Sequence, residues 1–205
     1  CCAKVEVTGN SHVGGLIGMS SARNPTRCHS EGRVTGVRDV GGFAGYIYSG
    51  GCITDCNSSA EVCGEEFVAG FVACTWGEIV ACEALGVVSG TGSVGGFAAY
   101  NGGIISRCRS TACVTEGSFV GGLVASNLGI ILDCYCIGSV SGGNSAGGLV
   151  GANSQDGKIV RCYASGSTTG KLDAGGLVGY DQWSAKVESS FWDIETTGQT
   201  ASDGG

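Results

Sequence analysis

A cysteine recurs along the chain at an almost constant interval, and this repeat limits the possible folds more than any other feature. Successive members are separated by 27, 28, 26, 26, 26 and 28 residues, and a serine follows after another 28. These ladder positions are Cys1, Cys28, Cys56, Cys82, Cys108, Cys134, Cys162 and Ser190. Repeats of this length are typical of solenoids and other stacked arrays. The chain is therefore expected to be a stack of similar units.

A glycine pair follows each ladder cysteine at a constant distance. The pair begins 13 residues after the cysteine, and the third unit has Ala-Gly in its place. The pairs are Gly14-Gly15, Gly41-Gly42, Ala69-Gly70, Gly95-Gly96, Gly121-Gly122, Gly147-Gly148 and Gly175-Gly176. Two explanations stay open: a corner that requires positive φ, or a site where a side chain would strike the neighbouring unit. Because this spacing never changes, the two-residue insertions are predicted to lie after the pair, in a loop.

Each unit also contains three short apolar segments. The first has the valines Val7, Val34, Val62, Val88, Val114 and Val140; the second has Leu16, Phe43, Phe71, Phe97, Leu123, Leu149 and Leu177; the third has Ile53, Ile79, Ile105, Ile131, Ile159 and Val187. Short apolar runs separated by Gly, Ser and Asn are typical of strands, and no segment keeps a helical period. Helices are not expected.

A unit of this size cannot bury its apolar side alone, but stacked units pair each strand with its equivalents about 4.8 Å away. The sequence therefore predicts an all-β parallel β-solenoid of about seven and a half coils, with three short strands per coil. It forms one domain, 1–205, whose coils begin near residues 1, 28, 56, 82, 108, 134, 162 and 190. Glu6, Arg33 and Glu61 share one position in coils one to three, so opposite charges would alternate along the stack.

Two segments, VGGLVASN at 120–127 and AGGLVGAN at 146–153, each lead through a glycine and an isoleucine to a cysteine. They resemble the GLUG repeats of large bacterial surface proteins. Residues 190–200, SFWDIETTGQT, resemble the segment that often ends such arrays. Ala69-Gly70 and Pro25 depart from the pattern, the latter in place of an isoleucine. The resemblance implies an exported, adhesin-like or fibrous context and no defined activity.

The cysteines allow two interpretations. In-register neighbours have Cα atoms about 4.8 Å apart, which a disulfide accepts, but the ladder side chains can equally be buried thiols that fill the core. Six cysteines lie outside the ladder: Cys2, Cys52, Cys63, Cys74, Cys113 and Cys136. Dense cysteine in a chain of surface-protein type favours an oxidising place, so an extracellular or cell-surface location is predicted.

No metal site and no cofactor are predicted, because strand spacing scatters the cysteines along the stack and the only histidines are His12 and His29. The net charge is −7, whereas proteins that bind nucleic acid typically have an excess of positive charge, so nucleic acid is not an expected partner. No apolar run approaches the length of about 20 residues that crosses a bilayer, so membrane insertion is not expected either.

End-to-end self-association is the predicted partnership. Cys1 already stands in ladder register, and residues 190–205 make only part of an eighth coil. A heterologous contact that does not close produces an open filament. Cys1, Cys2, Phe191 and Trp192 are therefore the candidate assembly ends. The other candidate partner is a host or cell-surface glycan or protein.

The sequence favours a non-catalytic extracellular structural or adhesive solenoid. The alternative is a glycan-binding or glycan-cleaving β-helix, which depends on whether Asp39, Glu65 and Glu66 line a groove, since paired carboxylates can cleave glycosidic bonds. The aromatic column Tyr135, Tyr163 and Phe191 is interpreted mainly as packing, with sugar stacking as the other interpretation. Asn57 begins the sequence Asn-Ser-Ser and is the candidate glycan acceptor.

Overall fold

The computed structural model describes residues 1–21, 24–182 and 185–203. Its strands form four parallel sheets, here called A, B, C and D, with 13, 7, 7 and 6 strands respectively. Within each sheet a strand pairs with its equivalents in the adjacent coils. The predicted all-β parallel β-solenoid is confirmed.

The strands are short, and strands of sheets A, B, C and D follow one another in this order in coils two to seven. Sheet A contains Cys2–Thr8, His29–Thr35, Asn57–Ser58, Glu61–Gly64, Glu83–Ala84, Val87–Gly90, Arg109–Ser110, Cys113–Val114, Tyr135–Cys136, Val140–Ser141, Tyr163–Ala164, Thr168–Thr169 and Phe191–Trp192. Sheet B contains Ser11–Gly14, Arg38–Gly41, Glu66–Ala69, Ser93–Gly95, Phe119–Gly121, Ser145–Gly147 and Asp173–Gly175. Sheet C contains Ile17–Ser20, Ala44–Ile47, Val72–Thr75, Ala98–Asn101, Val124–Asn127, Val150–Asn153 and Val178–Asp181. Sheet D contains Cys52–Thr54, Glu78–Val80, Ile104–Ser106, Ile130–Leu132, Lys158–Val160 and Lys186–Glu188.

The register agrees with the repeat read from the sequence. Val62 pairs with Val88 in sheet A, and Ile79 pairs with Ile105 in sheet D. The three predicted segments of each coil are thus strands of sheets A, C and D. Sheet B lies between A and C and was not predicted as a separate element, because its strands have only three or four residues and run directly into the glycine pair.

The core is made of columns of identical or similar side chains. Phe43, Phe71 and Phe97 are fully buried and stack with centroid distances of 4.7 and 4.8 Å. A second cluster joins the valines of sheet A to those of sheet B. Aromatic rings packed this way stabilise the fold beyond their buried area, by about 0.5–1.5 kcal/mol per pair.

The glycine pairs are required by close approach between coils. A Cβ atom built on Gly42 would lie 2.2 Å from the carbonyl oxygen of Gly70, and one on Gly96 would lie 2.1 Å from that of Gly122. Neither position has positive φ. The second of the two explanations drawn from the sequence is therefore correct.

Positive φ occurs instead immediately before each ladder position from coil two onward. These corner residues have φ between 50° and 54°, and they are Arg27, Asp55, Ala81, Arg107, Asp133, Arg161 and Ser189. The left-handed region is uncommon for residues other than glycine. At five of these seven corners the solenoid thus has a charged residue where a glycine would be easier to accommodate.

The column of alternating charges predicted from the sequence is in register, and further polar columns accompany it. Arg33 pairs with Glu61 and their charged atoms are 3.4 Å apart, while Arg161 and Asp133 approach to 2.7 Å. These pairs are partly exposed and contribute little stability each. A buried column at the last residue of the sheet C strands is linked by amide hydrogen bonds: Asn101 donates to Asn127 at 2.8 Å, and Asn127 donates to Asn153 at 2.8 Å.

Residues 191–203 fold over coil seven. The one helix among the described residues, Ile194–Thr197, begins at Asp193, whose carboxylate accepts from two backbone N–H groups, and ends at Gly198. No helix among the described residues is long and apolar enough to cross a membrane. Ser202 Oγ accepts from the N–H of Val178 at 2.8 Å, and Ala201 O accepts from that of Gly176 at 3.0 Å. The segment therefore takes the hydrogen-bonding place of a further coil in sheets B and C.

Candidate functional site

The ladder cysteines point into the core and hydrogen-bond to the backbone at the corner. Cys108 Sγ donates to the carbonyl of Ser106 at 3.2 Å and accepts from the N–H of Cys82 at 3.4 Å. Ser190 makes the same pair of bonds with its hydroxyl, at 2.9 Å to Glu188 O and 3.0 Å from Cys162 N. The ladder position thus supplies a donor and an acceptor to the corner.

Disulfides, one of the two interpretations of the ladder, are not formed. All thirteen cysteines are free thiols, and burial raises the pKa of Cys108 and holds that of Cys136 at about 12. Parallel, in-register strands keep the ladder side chains parallel, and each sulfur is engaged by backbone groups. The disulfide interpretation is therefore wrong for this structure. The cysteines consequently give no support to the prediction of an oxidising, extracellular location.

The three candidate carboxylates do not form one cluster. Asp39 is 5% exposed and lies at the base of a cleft. Glu66 is exposed and pairs with Arg38 at 3.6 Å, and Glu65 is exposed in the preceding turn. The structure therefore brings only Asp39 into a groove.

This groove, here called the B–C cleft, lies on the outer surface where sheets B and C meet in coils one to four. Its volume is about 520 Å³. Its walls are mostly aromatic, with polar groups at one side; the lining residues are Ser11, His12, Arg38, Asp39, Tyr46, Tyr48, Phe67, Cys74, Trp76 and Tyr100. The volume falls within the range of about 300–1,000 Å³ that is usual for small-molecule sites.

One left-handed residue from each of coils one, two and three forms the wall on the sheet B side. His12, Asp39 and Phe67 have φ of 53°, 52° and 47°, whereas the equivalent Ser93 has no positive φ. Each of the three contacts a sheet C residue of the following coil. The contacts are His12–Tyr46 with ring centroids 5.6 Å apart, Asp39–Cys74 at 3.3 Å, and Phe67–Tyr100 with centroids 6.3 Å apart.

The polar side of the B–C cleft is organised around Asp39. His12 Nε2 lies 3.3 Å from its carboxylate, Arg38 Nε lies 3.8 Å away, and Cys74 Sγ donates to it at 3.3 Å. Ser11 Oγ is 3.0 Å from His12 Nδ1. The cleft therefore offers a carboxylate acceptor beside guanidinium, imidazole and hydroxyl groups.

Cys74, Asp39 and His12 include the residue types of a nucleophilic triad, but their order does not suit catalysis. Asp39 lies between the thiol and the imidazole, so the His12 imidazole is not placed to take the proton from the sulfur. Burial, together with the nearby Asp39 charge, raises the pKa of Cys74 far above its usual value. A nucleophilic cysteine requires a lowered pKa. The arrangement favours hydrogen bonding to a ligand over covalent chemistry.

The aromatic wall of the B–C cleft was not recognised from the sequence. Tyr46, Cys74 and Tyr100 occupy one outward column of sheet C, and Tyr48 and Trp76 lie two residues beyond that column. The signal was present as aromatics at equivalent positions, since Tyr48 and Trp76 are 28 residues apart. What the sequence did not show was that sheet B turns His12, Asp39 and Phe67 towards them.

The second aromatic column, interpreted mainly as packing, lies on the outer face of sheet A. Tyr135 pairs with Tyr163 and Tyr163 with Phe191, and the rings of the latter pair are 5.2 Å apart. Phe191 is 62% exposed. The column borders a shallow depression with Ile137 and the Asp133–Arg161 ion pair.

The candidate assembly ends occupy different environments. Cys1 and Cys2 are exposed, and Phe191 projects into solvent. Trp192 packs against the core and donates its indole N–H to the carbonyl of Gln199 at 2.9 Å. Their role in assembly stays a prediction.

The candidate glycan acceptor Asn57 lies in a sheet A strand and is half-buried. Its carboxamide is hydrogen-bonded to the imidazole of His29, and Ser58 of the sequon is buried. Glycosylation at Asn57 stays a prediction. Within residues 1–21, 24–182 and 185–203, no three His, Cys, Asp or Glu side chains are grouped as a metal would require.

Residues 142–169 match the family model of the GLUG motif. The match begins in coil six, before sheet B, and ends with the sheet A strand Thr168–Thr169 of coil seven. The GLUG resemblance drawn from the sequence is confirmed in this segment, which spans one period of the solenoid. No curated protein matches the chain.

Proposed function

We propose that the protein is a non-catalytic, extracellular structural or adhesive β-solenoid. The observation that carries this proposal is the register of its four sheets, which repeat the same inward columns from coil to coil. Such a column is a rigid scaffold whose outward side chains are free to vary, as in other solenoids that present extended binding surfaces. The extracellular placement depends on the GLUG likeness.

The non-catalytic part is tested by incubating the protein with neutral and acidic polysaccharides and measuring new reducing ends. No turnover is expected, because glycoside hydrolysis normally uses two carboxyl groups that flank the bond, and Asp39 is the one of the three candidate carboxylates in the B–C cleft. Turnover that is abolished in Asp39→Asn would contradict the proposal. The location is tested by protease treatment of intact cells, followed by immunodetection of the chain; protection until lysis would refute a surface location.

The alternative, glycan binding without cleavage, is favoured by one observation, the aromatic B–C cleft. Its exposed rings and polar side are the features by which proteins hold polar ligands that also have an apolar face. Adhesion and scaffold are compatible, since the cleft occupies only coils one to four.

End-to-end assembly into a filament is the finer proposal. It must account for residues 199–203, whose backbone and side chains already engage sheets B and C of coil seven. Stacking through this face therefore requires that the segment be released first. Sedimentation velocity across a concentration series tests the proposal, which fails if the chain stays monomeric at the highest concentration.

A further inference from the structure

We infer that the B–C cleft binds a neutral oligosaccharide, which lays an apolar sugar face on Trp76 and Tyr48 and hydrogen-bonds through its hydroxyls to Asp39 and Arg38. The inference deepens the adhesive role proposed above and rests on it, because it names the ligand and the site. It does not depend on filament assembly.

The aromatic side chains of the cleft are exposed and yet held in place. Trp76 is 45% exposed and Tyr48 is 42% exposed. Trp76 packs against Tyr100 with ring centroids 5.5 Å apart, and Tyr48 packs against Tyr46 with ring centroids 4.6 Å apart. Rings fixed by their neighbours lose little conformational entropy when a ligand stacks on them, so this wall is pre-organised for binding.

The backbone of sheet B is strained where it serves the cleft. His12, Asp39 and Phe67 all adopt the left-handed region, and Phe67 has no local polar group to offset the cost. The equivalent residues of the later coils, Ser93, Phe119, Ser145 and Asp173, have no positive φ. Strain of this kind clusters at binding sites, and within sheet B it is confined to coils one to three, which form the cleft.

The charges in the cleft select against ions of either sign. An anion would meet the buried Asp39 carboxylate, and the charge of Arg38 is already partly balanced by its ion pair with Glu66 outside the cleft. A cation would meet Arg38, which is exposed and lies 3.8 Å from Asp39. A sugar hydroxyl can donate to the carboxylate and accept from the guanidinium at the same time, so a neutral polyhydroxylated ligand satisfies both groups.

The test uses the full chain and a defined set of tetrasaccharides at concentrations up to about 10 mM, a range that detects Kd values of about 1 mM. Cellotetraose, maltotetraose, mannotetraose and chitotetraose are the neutral probes; tetragalacturonate is the anionic probe and tetramethylammonium the cationic one. Binding is measured by isothermal titration calorimetry and by saturation-transfer NMR. At least one neutral tetrasaccharide is expected to bind, and the two charged probes are expected to bind at least tenfold more weakly.

Variants place the binding in the cleft. Trp76→Ala is expected to weaken it at least tenfold, and Tyr48→Ala about fivefold, since aromatic anchors dominate such sites. Tyr180→Ala is the matched control. Tyr180 lies in the same column of sheet C as Tyr46 but in coil seven, outside the cleft, and at 44% it is about as exposed as Trp76 and Tyr48. Circular dichroism verifies that each variant is folded.

The inference is overturned if no neutral tetrasaccharide binds to the folded protein, if a charged probe binds best, or if Trp76→Ala and Tyr48→Ala bind as the parent does. Any of these outcomes leaves the structural proposal intact. Release of reducing ends from the bound sugar, in contrast, would overturn the non-catalytic proposal while the binding site stands.

Discussion

The ladder cysteine is best understood as a hydrogen-bonding corner residue. The left-handed residue before it turns the chain, and the backbone N–H at the ladder position then finds no carbonyl in the adjacent coil. The sulfur of the next coil accepts from this group, at 3.3 Å for Cys28 N and Cys56 Sγ. Because Ser190 performs the same role with oxygen, the position requires a short side chain that both donates and accepts.

Cys108→Ser and Cys108→Ala separate this role from simple space filling. Serine keeps the bonds to Ser106 O and Cys82 N, whereas alanine leaves the buried N–H of Cys82 without its acceptor. An unsatisfied buried donor costs about 1–3 kcal/mol, so the alanine variant should be less stable than the serine variant by about that amount. Urea unfolding of both variants under reducing conditions measures the difference; an equal or more stable alanine variant would show that the sulfur only fills space.

Free thiols predict a definite labelling pattern. Alkylation in denaturant without a reductant should add thirteen groups to every chain, because no cysteine is paired. Without denaturant, the exposed Cys1 and Cys2 should react fast and buried members such as Cys108 should stay unmodified. Mass spectrometry counts the adducts. A chain that accepts fewer than thirteen groups until a reductant is added would restore the disulfide interpretation.

The column of buried asparagine amides ends in an acid, Asp181. Replacing Asp181 tests what it costs to keep an ionised carboxylate at this partly buried position. Burial raises the pKa of Asp181, and the nearby Asp203 raises it further, although the Asn153 amide partly opposes this. The folded state therefore holds the proton more tightly than the unfolded chain, whose aspartates have a pKa of about 3.9. The ionised carboxylate thus destabilises the fold at neutral pH, and this penalty disappears as the pH falls through the folded pKa.

Asp181→Asn should consequently stabilise the protein at pH 7 by roughly a few tenths of a kcal/mol, or about 1 °C in Tm. The gain in stability is small because the carboxylate is partly solvated. The variant keeps the bond from Asn153, which is 2.9 Å long. Calorimetry of variant and parent should show the gain shrinking between pH 7 and pH 3. The exposed Glu116→Gln serves as control; a gain for Asp181→Asn that is constant with pH would contradict the account.

At the level of the strands, the glycine pair determines how closely successive coils can approach. Gly96→Ala would place a methyl group 2.1 Å from Gly122 O and 2.5 Å from Ser110 Oγ, and the former is a backbone atom that cannot rotate away. We expect a loss of more than about 3 kcal/mol or failure to fold. Ala69→Gly is the matched control, because coil three already has alanine at the first position of the pair; it should cost about 1 kcal/mol. Thermal unfolding followed by circular dichroism decides, and a mild effect of Gly96→Ala would mean that the coils can separate locally.

Much of the sheet arrangement could be predicted, because in a parallel stack the residues that pair are separated by one coil length in the sequence. Each inward column contacts only its own equivalents, so Val62 faces Val88 and Ile79 faces Ile105, and similar residues are retained at a fixed spacing. Sheet B is the exception. Its inward Val94 lies directly before the glycine pair, so the strand Ser93–Gly95 has no apolar run of its own.

The B–C cleft could not be predicted to the same extent, because it breaks the repeat. Asp39 was singled out as a carboxylate, but its burial depends on a left-handed backbone that coils four to seven do not share. Glu65 and Glu66 looked equivalent to it in sequence and are exposed in the structure. The local backbone conformation decides which outward side chain lies in a groove, and the spacing of the repeat does not indicate this conformation.

Across the whole molecule, regular and irregular features are separated along the stack. The inward columns continue from coil to coil. In contrast, the left-handed residues of sheet B are confined to coils one to three, the aromatic wall to coils one to four and the covering segment to coil seven. A solenoid permits this because each coil contacts mainly its neighbours, so a local departure costs stability only locally. A binding surface can thus be added to a scaffold without changing it.

The covering segment offers a test of assembly at this scale. In the interior, the N–H of Leu149 pairs with Leu177 O of the next coil, whereas the N–H of Leu177 and Val178 is bound by Ser202 Oγ. The indole of Trp192 lies directly over Gly176 and anchors the segment. Exposed strand edges template pairing with other chains, so the segment should act as a removable cover.

Loosening the segment should therefore promote end-to-end association. We expect Ser202→Ala combined with Trp192→Ala to increase the weight-average mass in sedimentation equilibrium and to raise it further with concentration, while Phe191→Ala, which alters an exposed neighbour, changes it less. Negative-stain microscopy should then show rods longer than one molecule. If the folded double variant stays monomeric at concentrations of about 100 μM, sheets B and C do not extend into a second copy, and filament assembly through this face is excluded.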